Sequence, residues 1–363
     1  MKLLIFPVDV DASERFISVA RSLEIPTIGA SSARNSTSAK ALDQLIYLPY
    51  ITEPCFGDRL RKALQRHAIT HVYAPHPGVW TCLKQLGKEQ PKIYTYKLCH
   101  PSPYENDWLE IASSYHWAER IVADDFPHTL RTGSGMAPGR PLTKAQYAGL
   151  HKQFVRITGQ CDEKKLTALA NILRLTPQGD LVEIGSLSGR SAFAIAWLAE
   201  RHGIGNLVSI DPWSSKRLDD QGDQAKILNN DKDRIDFEKI FSGYLCNMSL
   251  LSNAGYIRET SAQAIQPYLH AAQQGRLESP ELGHVTLTGS IALLHIDGNH
   301  HYRHVRLDID LWEPHVVSGG WVLLDDYVWA FGDGPQRAGD ELLATGRFDL
   351  AFTMSDTLFL RKR

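Results

Sequence analysis

The stretch Asp180-Leu181-Val182-Glu183-Ile184-Gly185-Ser186-Leu187-Ser188-Gly189-Arg190-Ser191, followed by the apolar run Ala192 to Ala199, constrains the fold more than any other part of the chain. Leu181, Val182 and Ile184 supply the short apolar run of a buried parallel strand. The segment behind the turn is apolar nearly all round, as a helix sandwiched between layers is. Strand, tight glycine turn and helix in that order aim helix amides at a ligand. Turns of this kind serve several nucleoside ligands, so spacing has to choose among them.

Two phosphate ligands lose on spacing. A dinucleotide fingerprint needs Gly-x-Gly-x-x-Gly so that the backbone at the middle glycine approaches a pyrophosphate, whereas Leu187 lies between Gly185 and Gly189. A phosphate-binding loop needs four residues between its glycines and then Lys-Ser or Lys-Thr; here three intervene and Arg190-Ser191 follows. S-adenosylmethionine carries no phosphate, and glycines at the two ends of the turn suffice for its amino-acid tail and sugar. Leu207-Val208-Ser209-Ile210-Asp211 reads as the next strand, and a carboxylate at its end suits ribose hydroxyls.

A chain of 363 residues suits two domains. Residues 1 to 98 alternate strand-like and helix-like pieces, the grammar of a small α/β domain. Ile28-Gly29-Ala30-Ser31-Ser32, Leu45-Ile46-Tyr47-Leu48-Pro49 and Thr70-His71-Val72-Tyr73-Ala74-Pro75 resemble the small Rossmann-like domain that precedes ATP-grasp modules. The glycine-rich lid and carboxylate set of such a ligase do not follow, so its chemistry is not implied. Residues 99 to 160, where prolines recur, are expected to be linker and helical connection. Residues 161 to 363 then form the larger domain, with further strands at Tyr256 to Glu259, Ile291 to Asp297 and Trp321 to Asp325 and a closing pair at Phe348 to Met354 and Thr357 to Arg361.

Val182-Glu183-Ile184-Gly185-Ser186-x-x-Gly189, Ser209-Ile210-Asp211-Pro212-Trp213, Glu259-Thr260-Ser261 and His295-Ile296-Asp297-Gly298-Asn299-His300 resemble successive motifs of the class I S-adenosylmethionine-dependent methyltransferases over about residues 160 to 363. The resemblance implies a Rossmann-like sheet with helices on both faces and a reversed edge strand. It implies Glu183, Gly185, Ser186 and Gly189 around the methionine part of the cofactor, Asp211 at the ribose and Ser261 by the adenine. Trp213 either covers the adenine face or is a structural tryptophan under the following loop.

Asp297 with His300, and Asp325 with Asp326, stand at the carboxyl ends of expected strands, where open α/β sheets place their ligands. Carboxylates that converge there raise one another's pKa unless a cation neutralises them, and magnesium is the oxygen-preferring candidate for Asp297, Asp325 and Asp326. His300 is then placed to take a proton from an acceptor hydroxyl, although His301 and His304 compete for that role. The spacing of these acids and the Asp-x-x-His step are similar to those of metal-dependent sugar O-methyltransferases of macrolide biosynthesis, which implies magnesium on the acids and a histidine base. Asp297 or Asn299 otherwise simply caps the following helix. Asp308 and Asp310 read as surface or helix-packing residues, and the polar stretch between Trp213 and Phe241 reads as a solvated loop positioned like a lid.

A net charge of −2, with no basic cluster beyond Arg361-Lys362-Arg363, excludes a polyanion partner such as nucleic acid. No apolar stretch approaches a membrane span. Five scattered cysteines without Cys-x-x-Cys read as reduced thiols of a cytoplasmic protein. The resulting expectation is a magnesium-assisted O-methyltransferase acting on a hydroxyl of a sugar or small natural product, with a homo-oligomer left open. The alternative is a non-catalytic S-adenosylmethionine-binding or assembly protein of the same fold.

Overall fold

The computed structural model describes residues 1–34, 42, 44–124, 126–131, 138–215, 220–221 and 235–363. The expected lid, apart from its two ends and residues 220–221, therefore lies outside the described residues. Contacts divide the chain into two units, Met1–Ser113 and Ser114–Arg363, so residues 114 to 160 go with the larger unit.

In the first unit β1 (Leu3–Ile5), α1 (Asp11–Ser22), β2 (Thr27–Ser31), β3 (Leu45–Tyr47), α2 (Phe56–His67), β4 (His71–Tyr73), α3 (Pro77–Glu89) and β5 (Lys97–Leu98) follow one another. All pairings are parallel, in the order β3-β2-β1-β4-β5. The pleat of β1 sends Leu4 into one buried cluster and Leu3 and Ile5 into another, so both faces of the sheet are covered. A long helix, α4 (Pro103–Ala123), begins in this unit and ends in the next.

The second unit continues with α5 (Phe126–Arg131), α6 (Lys144–Phe154), α7 (Glu163–Ile172), β6 (Asp180–Ile184), α8 (Arg190–His202), β7 (Leu207–Ile210), α9 (Phe237–Met248), β8 (Ala254–Ile257) and α10 (Ser261–Gln274). After these come β9 (Leu277–Ser279), β10 (Gly283–Val285), β11 (Ile291–Ile296), α11 (Tyr302–Trp312), β12 (Val316–Leu324), α12 (Gly334–Ala344), β13 (Phe348–Met354) and β14 (Thr357–Lys362). Seven strands form one sheet in the order β13-β14-β12-β11-β6-β7-β8. Only β14 runs against its neighbours, and it lies one place in from the edge strand β13. The β9–β10 hairpin is a small separate ribbon with no periodicity long enough to announce it in the sequence.

Pleating sorts the core into two layers. Val182 and Ile184 of β6 and Leu294 and Ile296 of β11 face one buried cluster, with α10, α11 and α12 beyond it. Leu181 and Leu293 face the other, with α7 and α8. Glu183 and His295 alternate with them on that second face and sit opposite each other in register. Two polar residues thus stand on the sheet under α7. The first turn of α7 is fixed by Asp162, whose side chain accepts the Lys165 amide at 2.8 Å and the Ser355 hydroxyl at 2.8 Å.

Candidate active site

The loop after β6 is built by close backbone approach. Gly185 has φ +88°, and a Cβ there would stand 1.9 Å from the carbonyl oxygen of Asp297, so only glycine fits. Leu187 adopts φ 49°, a left-handed conformation unusual for a leucine, and Gly189 at φ +84° opens α8. Two cavities border this turn, one of about 420 Å³ and one of about 400 Å³. Gly185 and Gly298 line both.

Asp211 is fully buried, and its carboxylate is engaged by the turn itself. Oδ2 accepts the amides of Ser186 at 3.1 Å and Leu187 at 3.0 Å, and Oδ1 accepts that of Trp213 at 2.8 Å. The residue expected at the ribose thus holds the cradle in shape. Trp213, expected over the adenine or under the following loop, packs against the glycine turn, while most of that following loop lies outside the described residues: its indole donates to the Leu187 carbonyl at 2.8 Å, and its ring packs among Phe241, Tyr244 and Tyr256. Glu183 lies beneath the turn, accepting from the Ser186 hydroxyl at 2.6 Å and meeting His295 Nδ1 at 2.9 Å. Burial raises the Glu183 carboxyl, and the hydrogen bonds from His295 and Ser186 outweigh it, leaving a net lowering. Gly189 touches neither cavity; a Cβ on it would meet the Tyr244 ring at 3.0 Å.

The second cavity is lined by Ile184, Ile210, Ser261, Leu307 and Asp308 among others. Ser261 donates its hydroxyl to Asp308. Asp308 is not a surface acid: burial pushes its carboxyl up to about 7, against the lowering by Ser261. The first cavity holds the predicted acids and His300, with Ser186 and Leu187 on its turn side and Trp329 and Phe331 opposite.

The acids do not converge as three free carboxylates. Asp325 Oδ2 lies 2.5 Å from Nζ of Lys165, and its Oδ1 accepts the Thr357 hydroxyl. Asp326, at φ 53°, turns away to His300, whose Nε2 is 2.7 Å from Asp326 Oδ2. The group at ligand spacing is instead His295, Asp297 and Asp325, with one donor atom of each within 4.8 Å of the others. His295 is fully buried and its Nε2 has no hydrogen-bond partner among the described residues. Burial, and then the neighbouring Asp325 charge, raises the Asp297 carboxyl well above its ordinary range. Burial alone would raise Asp325 too, but the Lys165 ammonium overcomes that and holds it well below the usual range. As a donor set for magnesium this fits poorly: one expected carboxylate belongs to an imidazole and another to an ammonium.

The three histidines separate by position. His300 stacks on Trp329 with ring centroids 4.1 Å apart, and its Nδ1 lies 2.7 Å from Gln221 Oε1. His304 reaches Asp220 at 3.0 Å beside the second cavity. The His301 amide donates to Asn299 Oδ1 at 2.8 Å, a local turn ahead of α11 and not a helix cap, since His301 is the N-cap residue and no side chain caps the first turn. Two residues escaped the sequence reading. His295 was marked by its i, i+2 step from Asp297, which puts both on one face of β11; Lys165 had no signal, because a charge in the first turn of a helix reads as solvated.

Residues 182–327 match a family described as a methyltransferase domain. A search of curated proteins finds no match. Among solved structures the chain is similar to the O-methyltransferase NovP, at 17% identity over 54% of this chain and 79% of that one, with a TM-score of 0.39. It is also similar to CalS11, a TDP-rhamnose 3'-O-methyltransferase of calicheamicin biosynthesis, at 14% identity over 72% and 96% of the two chains, TM-score 0.36. The MycE methyltransferase of mycinamycin biosynthesis, in complex with Mg, S-adenosylhomocysteine and mycinamycin VI, matches at 14% identity over 59% and 53%, TM-score 0.35. These are distant likenesses. The family match spans the last three residues of β6 and the strands β7, β8, β11 and β12, together with the glycine turn and the carboxylate end of the sheet. Residues 182–327, in the second unit of this chain, are thus a stretch that matches the methyltransferase-domain family, carried on a seven-stranded sheet with one reversed strand next to its edge.

Proposed function

We propose that the protein is an O-methyltransferase whose acceptor is a hydroxyl of a sugar or small natural product. S-adenosylmethionine, when bound, supplies a methyl group on a sulfonium centre. Support for its place comes from the glycine cradle at Gly185 and the two cavities that share that residue. Support for oxygen as acceptor comes from the His300–Asp326 pair on the first cavity, next to the turn.

Asp326 at Nε2 orients the imidazole and stabilises its protonated form, which leaves Nδ1 to exchange a proton. An acceptor hydroxyl that replaces the Gln221 amide oxygen at Nδ1 gives up its proton there. With the cofactor held at the Gly185 cradle, the freed oxygen would be the group that takes up the methyl, and the cofactor would supply a neutral thioether as the leaving group. The indole of Trp329 against His300 keeps one side of the ring dry.

A magnesium-assisted version is the second reading, supported by the ligand spacing of His295, Asp297 and Asp325. It requires Asp325 to accept a metal while it holds Lys165. The test of the main reading is calorimetric binding of S-adenosylhomocysteine to the full chain, followed by methyl transfer to a panel of nucleotide sugars and glycosides. No binding signal, or transfer only to nitrogen or sulfur acceptors, ends it.

A further inference from the structure

The carboxylate cluster at the ends of β11 and β12 contains its own cation. Lys165 is 1% exposed, on the first turn of α7, with its ammonium 2.5 Å from Asp325. Around it stand Asp325 beyond β12, Asp297 just beyond β11 and Cys161 before α7, with His295 of β11 at ligand spacing from the two acids and Glu183 of β6 bonded to His295. Asp356, between β13 and β14, also feels the Lys165 charge. Acids brought this close at low exposure need a positive charge. A buried ammonium equally needs an acid, since either ion left alone in the interior is strongly unfavourable. The amide of Lys165 is held by Asp162, which is held in turn by Ser355, so the first turn of α7 is anchored where the ammonium meets Asp325. A divalent ion on the same carboxylates would stand beside this fixed charge and be repelled by it.

We infer that the ammonium of Lys165 is the resident cation of this cluster and fills the place that three converging acids would otherwise give to a divalent metal. Lys165 is thus a positioning residue: its ammonium, 2.5 Å from Asp325 Oδ2, holds that carboxylate in place on the lining of the first cavity, which the His300–Asp326 pair also lines. The inference goes beyond the methyltransferase reading and does not depend on which acceptor is used.

Manganese, followed by its electron paramagnetic resonance signal, is the probe, titrated into the full chain and its variants. The native protein is expected to leave Mn2+ free up to about millimolar concentration, weaker than the sites of dedicated metal-binding modules. Lys165→Met, which leaves the acids uncompensated, is expected to bind it on the order of tenfold or more tightly, the direction set by removing a neighbouring unit charge. Lys165→Arg keeps the charge and should behave as the native chain. One tightly bound Mn2+ in the native protein, lost in Asp297→Asn, overturns the inference, as does unchanged Mn2+ binding in Lys165→Met. Should Lys165→Met fail to fold, the native titration and the arginine variant still decide. S-adenosylhomocysteine binding measured on the same native sample is a separate readout, and its absence ends the methyltransferase reading while leaving Lys165 untouched.

Discussion

His300 Nε2 and Asp326 Oδ2 stand 2.7 Å apart, with the imidazole stacked on Trp329 and its other nitrogen turned to Gln221. A histidine oriented from one nitrogen by a carboxylate has the other available for proton exchange. His300→Gln is therefore expected to lower methyl transfer by about 10²–10⁴-fold while S-adenosylhomocysteine affinity stays within a few-fold. Initial rates and calorimetry on the same preparation check both halves. Equal losses in rate and in cofactor affinity would show that His300 shapes the cofactor site instead.

Gly185 lies against the Asp297 carbonyl with φ +88°. Alanine there meets both a backbone clash and a left-handed conformation, so Gly185→Ala should lose about 3 kcal/mol or more of stability. Urea unfolding measures it, and a loss under about 1 kcal/mol would mean the loop yields easily.

Asp211 is the acceptor for two amides of the glycine turn and for that of Trp213. Asp211→Ala leaves those N–H groups without their partner, at about 1–3 kcal/mol for each that stays buried and unsatisfied. The expected result is lower thermal stability together with weaker cofactor binding. If only binding fell while the melting temperature held, the carboxylate would be acting on the ligand and not on the cradle.

Asp308 gives the molecule a pH dependence of known sign. Its folded carboxyl titrates near 7 because of burial, while an unfolded one titrates near 3.8. The folded state therefore binds the extra proton between those values, and the contribution is fully present below about pH 4 and lost as pH rises through 7. Asp308→Asn should flatten the stability profile across that window, read from denaturant midpoints at several pH values. An unchanged slope would place the titration on another group.

Much of the larger unit was legible because its signals were local. The apolar run of β6, the paired glycines and the acid after β7 fixed the order strand, turn, helix, strand, and the β13–β14 pair was readable from its alternating residues around Ser355-Asp356. Side-chain direction was not legible. Asp211 and Trp213 belong to one of the cofactor motifs in the sequence, yet the turn's own amide and carbonyl groups claim both. Asp325 and Asp326 read as one acidic pair, and a left-handed residue at Asp326 sends them to different partners. Lys165 is the clearest limit: nothing local tells a buried lysine from a solvated one, since its partner lies 160 positions away by register.

Gly298 differs from Gly185 in a way that matters for ligand passage. Both line the two cavities, but Gly298 has no left-handed backbone, and a Cβ on it would meet Ile184 Cγ2 at 3.4 Å and otherwise only ordinary contacts from 3.9 Å outward. An added methyl group there takes space at a position that lines both cavities, without straining the chain. Gly298→Ala is expected to fold normally and to bind S-adenosylhomocysteine more weakly, whereas adenosine alone, fitting one chamber, should bind as before. Two residues that lack side chains, at positions lining both cavities, are then what gauge the length of ligand this sheet admits.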